Sequence, residues 1–140
     1  MKFKKIHPSF QLPVKGSETA GGLDIVMPFA GEITQTPTVF PLGFAAAVPY
    51  GYVGLILPRS STGVKKGLEL SNTVGVIDSD YRGEWMACML VKPGYDNFTF
   101  AEGDRLLQIV VVPAGNFTPF LVDELDETVR GDGGFGSTGK

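Results

Sequence analysis

The chain has 140 residues, of which 43% are hydrophobic, and carries a net charge of −3 at pH 7. This length predicts a single domain with its own core, and the negative charge argues against a nucleic-acid-binding surface. One cysteine and one histidine exclude an internal disulfide and a Cys/His zinc site. His7 lies in an N-terminal segment that we expect to be mobile, which argues against a Ser-His-Asp triad. We see neither a signal peptide nor an apolar run of about 20 residues, and therefore expect a cytoplasmic protein with no membrane partner.

Glycine, proline and β-prone residues predict a mostly β protein. The 19 glycines and 10 prolines divide the chain into short segments. The apolar and β-branched runs between them predict strands over residues 39–47, 52–57, 85–91, 97–100 and 106–112, the last of them covered on both faces. Only residues 60–67 predict a helix, which is short and has Ser60 or Ser61 as its N-cap. We therefore expect a sandwich, jelly roll or barrel.

Two polar fragments precede the centre of the chain. The first, GLDI at 22–25, places Asp24 in a turn that enters a strand, where a turn aspartate is the ordinary interpretation. The second, PRSS at 58–61, places an arginine and two hydroxyls just before the predicted helix. A helix N-terminus exposes unpaired N–H groups, so this fragment is suited to phosphate. A plain helix cap explains it equally well.

The central segment, NTVGVIDSDYRGE at 72–84, predicts a hairpin. A strand-like run leads to Asp78, Ser79 and Asp80, whose side chains favour a turn, and Gly83 allows the chain to return. One of the carboxylates could then act as a general base, provided that it reaches a proton at hydrogen-bond distance. Tyr81 would form a wall of the pocket. A solvated polar hairpin tip is the alternative, and the residues of this segment alone favour it.

Two further segments follow towards the C-terminus. GDRLLQ at 103–108 enters a strand, where Arg105 and Gln108 each need a partner because a dry core penalises unpaired polar groups. The last eleven residues, RGDGGFGSTGK, contain five glycines and can offer backbone N–H groups and two hydroxyls to an anion. With Phe135 as a cover for a ring, they predict a tail that closes over a ligand bearing phosphate and a ring. A disordered Gly/Ser tail is the alternative.

In this order, the five segments resemble the motifs of the trimeric deoxyuridine triphosphatases (dUTPases). The matching segments are GLDI at 22–25, PRSS at 58–61, GVIDSDYRGE at 75–84, GDRLLQ at 103–108 and RGDGGFGSTG at 130–139. The third and fifth are highly specific, and together the five extend over most of the chain. Gly21 stands where the family commonly has alanine, and Leu107 stands where it often has a small residue. Neither departure removes a functional group.

The resemblance implies an all-β, jelly-roll-like domain over residues 1–129 with one short helix, followed by a flexible glycine-rich arm over residues 130–140. It also implies a homotrimer whose active sites are shared between subunits, and Mg²⁺ as the cofactor. The implied reaction is the hydrolysis of dUTP to dUMP and pyrophosphate by attack of water on the α-phosphate. This reaction keeps dUTP low and supplies dUMP for thymidylate synthesis.

The resemblance further implies a role for each matching residue. Asp78 activates the attacking water, and Tyr81 closes the sugar site against a 2′-hydroxyl. Asp24 supports the water shell of the metal, and Gln108 hydrogen-bonds ordered waters around the phosphates. The other substrate-binding residues are Asn72, Gly75, Val76 and Ile77 at the uracil edge, Arg59, Ser60, Ser61, Arg130, Ser137 and Thr138 at the phosphates, Phe135 over uracil, and Gly136 within the arm.

Three other functions fit parts of the pattern. A deoxycytidine triphosphate deaminase shares the fold and some of the motifs, but the intact IDSDYRG hairpin and the full tail favour the hydrolase. A non-catalytic nucleotide-binding or protein-binding module on the same fold would be expected to lose the base, yet Asp78 is present. A structural or lectin-like jelly roll explains the strands but not five co-linear polar motifs.

Overall fold

The computed structural model describes residues 1–115 and 117–134, and this part of the chain consists mainly of short strands. In chain order, its elements are β1 (Lys2–Lys5), β2 (Val14–Lys15), β3 (Leu23–Val26), β4 (Gly31–Ile33), β5 (Thr38–Pro41), β6 (Phe44–Ala47), β7 (Tyr52–Pro58), α1 (Ser60–Lys66), β8 (Leu68–Leu70), β9 (Gly75–Ile77), β10 (Met86–Val91), β11 (Phe98–Phe100) and β12 (Arg105–Pro113). Many strands and one short helix within the described residues confirm the predicted all-β class.

The strands form four sheets. The largest has the order β2–β3–β12–β7–β9, and the smaller ones pair β5–β10–β8, β1–β6 and β11–β4. Every pairing within the described residues is antiparallel. Strands that are distant in the sequence are neighbours in space, as when β12 lies between β3 and β7. The chain therefore crosses repeatedly between sheets, which is the jelly-roll-like arrangement that we predicted.

The hydrophobic core lies between these sheets. Trp85 and Phe44 are fully buried, and their ring centroids lie 5.3 Å apart. Ile56 of β7 and Ile109 of β12 face each other in register, and both belong to the same buried cluster. The large sheet and the Trp85–Phe44 ring pair therefore share one core.

Most of the predicted strands are present with small changes at their ends. The predictions over 52–57, 85–91, 97–100 and 106–112 correspond to β7, β10, β11 and β12. The predicted strand over 39–47 is instead two strands, because Gly43 adopts a φ of 78° and turns the chain. A Cβ at Gly43 would lie 2.9 Å from the side chain of Pro28, so only glycine fits this turn. The second half of β12 is only half-buried, so the prediction that both faces are covered holds for its first half alone.

The N-terminal segment is part of the fold, so our expectation that it is mobile is wrong. β1 pairs with β6 over four residues, from Lys2↔Ala47 to Lys5↔Phe44. The ring centroid of Phe3 lies 5.4 Å from that of Phe44, next to the core. The surrounding lysines hide this strand in the sequence, because a single apolar residue gives no alternating pattern.

Helix α1 begins after Arg59, so the prediction of Ser60 or Ser61 as the N-cap is wrong. Arg59 has extended backbone angles and makes no side-chain capping bond. Thr62 ties the helix to β12 instead, since its hydroxyl lies 2.7 Å from the carbonyl oxygen of Leu106 and 3.0 Å from that of Arg59. A tertiary contact, rather than local capping chemistry, therefore fixes the start of this helix.

The chain continues beyond the last strand as an irregular segment. β12 ends at Pro113, and residues 117–134 contain no helix or strand. The regular β structure therefore ends before residue 129, and the division into a domain and an arm at that position stays a prediction. Among the described residues, no helix has the length and apolar character that crossing a membrane would require.

Two glycines at α1 predict opposite effects on stability. A Cβ at Gly63 would make only ordinary contacts at 3.7 Å, so Gly63→Ala should raise the free energy of unfolding by about 0.5–1 kcal/mol. Gly67 has a φ of 66°, and a Cβ there would collide with the ring of Tyr95. Gly67→Ala should therefore lower the free energy of unfolding by at least about 1 kcal/mol. Urea unfolding of both variants measures the two signs, and a stabilised Gly67→Ala protein would contradict the left-handed helix end.

Candidate active site

A buried carboxylate holds two arginines at one end of the large sheet. Asp24 of β3 is only 8% exposed. Its Oδ1 lies 2.9 Å from Nε of Arg59, and its Oδ2 lies 3.3 Å from Nη1 of Arg105. Nη1 of Arg59 also donates to the carbonyl oxygen of Arg105 at 3.0 Å. The three groups, which we call the arginine cluster, carry a net charge of about +1 and reach solvent on the arginine side, so they can bind an anion.

Gln108 joins the arginine cluster from β12. It faces Asp24 in the β3–β12 register, and its Nε2 donates to the carbonyl oxygen of Pro58 at 3.1 Å. Gly22 leaves the space for this amide, since a Cβ at position 22 would lie 2.5 Å from Oε1 of Gln108. Gln108 and Arg105 therefore both have the partners that their positions in an apolar strand required.

The serines of PRSS lie beside the same cluster. Ser60 and Ser61 are exposed in the first turn of α1, directly after Arg59. The backbone N–H of Arg59 donates to the carbonyl oxygen of Leu106 at 2.9 Å, which fixes this turn against β12. The structure therefore brings the segments GLDI, PRSS and GDRLLQ together at one end of the sheet.

A second candidate region is the cavity of the hairpin that follows β9. It has a volume of about 220 Å³, and its lining residues are Val76, Ile77, Asp78, Tyr81, Glu84 and Met86. Apolar walls with a few polar groups are typical of a site for a small ring with polar edges. We call this the hairpin cavity.

Tyr81 is held in place within the hairpin. Its hydroxyl donates to the carbonyl oxygen of Glu84 at 3.1 Å, and its N–H donates to that of Asp78 at 3.2 Å. Gly83 makes this arrangement possible, because a Cβ there would collide with the phenol group of Tyr81. The small residue at position 83 therefore serves the tyrosine as well as the turn.

Arg82 stabilises the tip of the hairpin. Its Nη1 donates to the carbonyl oxygens of Ser79 and Tyr81 at 2.7 and 2.8 Å. Within the described residues, neither Asp78 nor Asp80 forms an ion pair with Arg82. The two aspartates differ, however, because only Asp78 lines the hairpin cavity. The structure thus separates the two carboxylates: Asp78, which the resemblance implies as the base, lines the cavity, and Asp80 does not.

The arginine cluster and the hairpin cavity lie at opposite ends of β7. Ile77 pairs with Gly54 near the start of β7, whereas Arg59 follows its last residue, Pro58. At roughly 3.3 Å per residue of strand, these ends are about 15–18 Å apart. Within one chain, the Asp78 carboxylate therefore does not reach the arginine cluster.

Asn72 lies before β9 and outside the lining of the hairpin cavity. It precedes Thr73, which has a φ of 67°, a costly conformation for a β-branched residue. The N–H of Val74 donates to the carbonyl oxygen of Asn72 at 2.7 Å. With the positive φ of the central residue Thr73, this bond forms a γ-turn of the rare, strained type. Gly75 then begins the strand that pairs with β7.

The C-terminal segment is described only in part. Nε of Arg130 donates to the carbonyl oxygen of Gly133 at 2.9 Å in an exposed turn. The predictions for Phe135, Gly136, Ser137 and Thr138 lie outside the described residues.

The structure adds four residues to the candidate site, and only one of them had a signal in the sequence. Arg105 is the second cation of the arginine cluster, and a charged residue entering an apolar strand was a signal for it. Gly22 leaves room for Gln108, whereas Glu84 and Met86 line the hairpin cavity. The sequence gives no sign of these three roles, because they depend on which strands become neighbours.

Comparisons with known sequences identify the family of this chain. The sequence model of the dUTPase family matches residues 9–139. The deoxyuridine 5′-triphosphate nucleotidohydrolase of Syntrophotalea carbinolica is 40% identical over 99% of this chain and 96% of its own length. The enzyme of the same name from Escherichia phage T5 is 42% identical over 99% of this chain and 98% of its own length. The chain therefore belongs to the dUTPase family.

Solved structures agree on the fold. A mutant dUTPase of Staphylococcus bacteriophage 80alpha, solved with dUpNHpp, superimposes with a TM-score of 0.86 over 99% of this chain and 98% of its own, at 23% identity. A mutant dUTPase of phage phi11 of S. aureus, described with a structural Mg(II) ion, has a TM-score of 0.77 and 22% identity over 88% of this chain and 96% of its own. The arrangement of strands is therefore the one found in dUTPases.

Adjacent glycines test the packing of Gln108. Gly22→Ala places a methyl group 2.5 Å from Oε1 of Gln108, which is too close, so the amide should leave the Pro58 carbonyl and the free energy of unfolding should fall by about 1 kcal/mol or more. Gly21→Ala is the matched control, because a Cβ at position 21 would have no atom within 4 Å. Crystal structures and urea unfolding of both variants measure the difference. An unmoved Gln108 in Gly22→Ala would contradict this geometry.

Proposed function

We propose that this protein hydrolyses dUTP to dUMP and pyrophosphate, as a dUTP diphosphatase that keeps dUTP low and supplies dUMP for thymidylate synthesis. Membership of the dUTPase family and 40–42% identity to proteins named deoxyuridine 5′-triphosphate nucleotidohydrolase support this function. One structural observation carries it: the motifs form two complementary parts. The hairpin cavity is suited to a base and sugar, and the arginine cluster is suited to phosphates.

In the proposed reaction, Asp78 accepts a proton from a water molecule. The water oxygen forms a bond to the α-phosphorus, and the bond from that phosphorus to the oxygen bridging to the β-phosphate breaks. The products are dUMP and pyrophosphate. The position of Asp78 in the hairpin cavity supports its role as the base, since a base must lie next to the reacting group. Arg59 and Arg105 donate charge-assisted hydrogen bonds to the phosphates, which Ser60 and Ser61 extend.

Selectivity for deoxyuridine belongs to the hairpin. Tyr81 closes the sugar site against a 2′-hydroxyl, and its fixed hydroxyl supports this role because the ring cannot swing away without losing a hydrogen bond. The backbone of Gly75–Ile77 would read the uracil edge, since Val76 and Ile77 line the cavity. The resemblance also assigns Asn72 to this edge, although Asn72 lies outside the lining of the hairpin cavity. Cytosine is rejected because its reversed donors and acceptors would leave buried polar groups unpaired.

The proposed cofactor is Mg²⁺, held mainly by the triphosphate. Among the described residues, no group of three or more His, Cys, Asp or Glu side chains could hold a metal ion. A single carboxylate beside the phosphates is enough for Mg²⁺. This ion keeps several waters and binds through substrate phosphates with one or two carboxylates. Asp24 is the acid at the phosphate end and would contact the ion through water, with its two oxygens already facing arginines. When bound, the ion neutralises charge that develops on the phosphates.

We propose that the active site is completed in a homotrimer, with Asp78 and the arginine cluster of one site coming from different subunits. Their separation along β7 supports this, because within one chain the Asp78 carboxylate cannot reach phosphates that are bound at the arginine cluster. Exposed apolar surface also supports it. On the outer face of β5 and β10, Val39 is 58% exposed and Met86 51%, while Phe120 and Leu121 after β12 are at least 85% exposed. Patches of this kind are typical of contact surfaces between proteins.

Residues 130–140 form the proposed arm that closes over bound substrate. Arg130, Ser137 and Thr138 would bind the outer phosphates, Phe135 would lie over uracil, and Gly136 would contact the substrate from within the arm. The glycine content supports closure on binding, because ordering glycines costs entropy that only ligand contacts would offset. Closure would exclude water and strengthen the electrostatic contacts around the phosphates.

Replacing the base tests the mechanism. Asp78→Asn should lower kcat by at least ~100-fold while leaving the binding of a non-hydrolysable dUTP analogue nearly unchanged. Asp80→Asn is the matched control, since Asp80 lies at the same tip but outside the hairpin cavity, and its activity should stay within about threefold of the wild type. Release of pyrophosphate measures both. An unchanged kcat in Asp78→Asn would exclude this residue as the base.

Mixing two inactive variants tests the shared site. Asp78→Asn and Arg59→Gln each remove one half of the machinery, so each homotrimer should be nearly inactive. Co-refolded from equal amounts, they should regain about a quarter of wild-type activity, because in a random trimer about one site in four receives an intact residue from each chain. If both residues of a site came from one chain, no activity would return. Trimers reassembled from one variant alone are the control.

A further inference from the structure

Glu84 is a second carboxylate in the hairpin cavity, and the proposed reaction gives it no role. It lies three residues after Tyr81, is half-buried and shares the lining with Asp78. A carboxylate in such a place could move a proton, hold a metal or accept hydrogen bonds. Its contacts distinguish these roles.

The side chain of Glu84 completes a row of hydrogen bonds between the hairpin and the β5–β6 turn. Its Oε1 accepts from the N–H of Gly43 at 3.1 Å. On either side, the N–H of Leu42 donates to the carbonyl oxygen of Trp85 at 2.8 Å, and the N–H of Trp85 donates to that of Phe44 at 2.9 Å. The carboxylate therefore satisfies the N–H that lies between two backbone bonds.

The turn that Glu84 contacts is itself fixed. Gly43 has a φ of 78°, and its Cα lies so close to Pro28 and His7 that a Cβ would be 2.9 Å from each. The carbonyl oxygen of Gly43 accepts from the N–H groups of Ile6 and His7, both at 2.9 Å. The β5–β6 turn thus provides a rigid anchor for the hairpin.

The main chain of Glu84 holds the other end of this link. Its carbonyl oxygen accepts the hydroxyl of Tyr81 at 3.1 Å, above a glycine that leaves space for the ring. The side chain of Glu84 binds the anchor, and its backbone binds the tyrosine. A shift of Glu84 would therefore move the wall of the hairpin cavity.

We propose that Glu84 is a positioning residue: as a hydrogen-bond acceptor, it fixes Tyr81 against the β5–β6 turn and so sharpens the exclusion of ribonucleotides. This inference rests on the proposed function. The role needs an acceptor at Oε1 and no negative charge. Glutamine should therefore replace Glu84, whereas it could replace neither a proton-transferring acid nor a metal-binding carboxylate.

The test compares two substitutions of similar shape. Glu84→Gln keeps the acceptor, and its kcat and KM for dUTP and UTP should stay within about twofold of the wild type. Glu84→Met removes the acceptor, and its activity on UTP relative to dUTP should rise by roughly three- to tenfold, in line with the loss of one hydrogen bond. In a Tyr81→Ala background, Glu84→Met should change this ratio little, because the two residues act in one chain of contacts.

Amide hydrogen exchange at Gly43 supplies a measurement that does not use activity. Exchange should be faster in Glu84→Met and unchanged in Glu84→Gln. A wild-type protein that does not hydrolyse dUTP would refute the proposed function, while the exchange rates would still test the anchor. The inference is overturned if Glu84→Gln is inactive, if Glu84→Met keeps wild-type discrimination, if its effect adds fully to that of Tyr81→Ala, or if Gly43 exchange is the same in all variants. Should Glu84→Met fail to fold, the activity of Glu84→Gln alone decides whether the charge is needed.

Discussion

The pairing of β7 on both of its edges determines where the arginine cluster and the hairpin cavity lie. β12 pairs with it from Tyr52 to Pro58, and β9 pairs with its central residues, from Gly54 to Ile56. Because Ile56 is fully buried at the centre, the strand cannot slide without exposing the core. The hairpin with Asp78 follows β9, whose last residue Ile77 pairs with Gly54 near the start of β7, and Arg59 follows the end of β7. Both candidate regions are therefore positioned by the pairing of this strand.

Electrostatics preorganise the phosphate end. A buried carboxylate without partners would be very unfavourable, so Asp24 requires the two arginines as much as they require it. The arginines come from separate parts of the chain, yet the order β3–β12–β7 brings both to one acid. The cations are thus positioned before an anion arrives, and little reorganisation is needed at the moment of binding.

The sequence indicated the β class, most of the strands and the polar segments, because these depend on local patterns. It missed the break at Gly43 and the pairing of β1, since a positive φ and a single inward Phe3 have no clear local signature. The N-cap was misplaced because Thr62 contacts β12, a neighbour that no local rule identifies.

For the candidate site, too, the sequence showed the local motifs but not the contacts between distant parts of the chain. Each motif was visible alone, and for the hairpin the local residues even favoured an ordinary polar tip. The roles came from the resemblance of five motifs taken together. What the resemblance could not supply was the partner of each group: that Asp24 faces two arginines, that Gly22 leaves room for Gln108, and that Asp78 but not Asp80 lines a cavity. These facts follow from sheet order and register, which depend on the whole chain.

The placement of the arginine cluster and the hairpin cavity at opposite ends of β7 affects how strongly a defective allele would act beside a normal one. Under the shared-site proposal, each chain serves two different active sites. A cell that makes normal and defective chains together would assemble mixed trimers. A chain damaged only at Asp78 would silence one site of its trimer, whereas a chain damaged at both ends would silence two. Alleles with lesions in both halves would thus be more strongly dominant than alleles with either lesion alone.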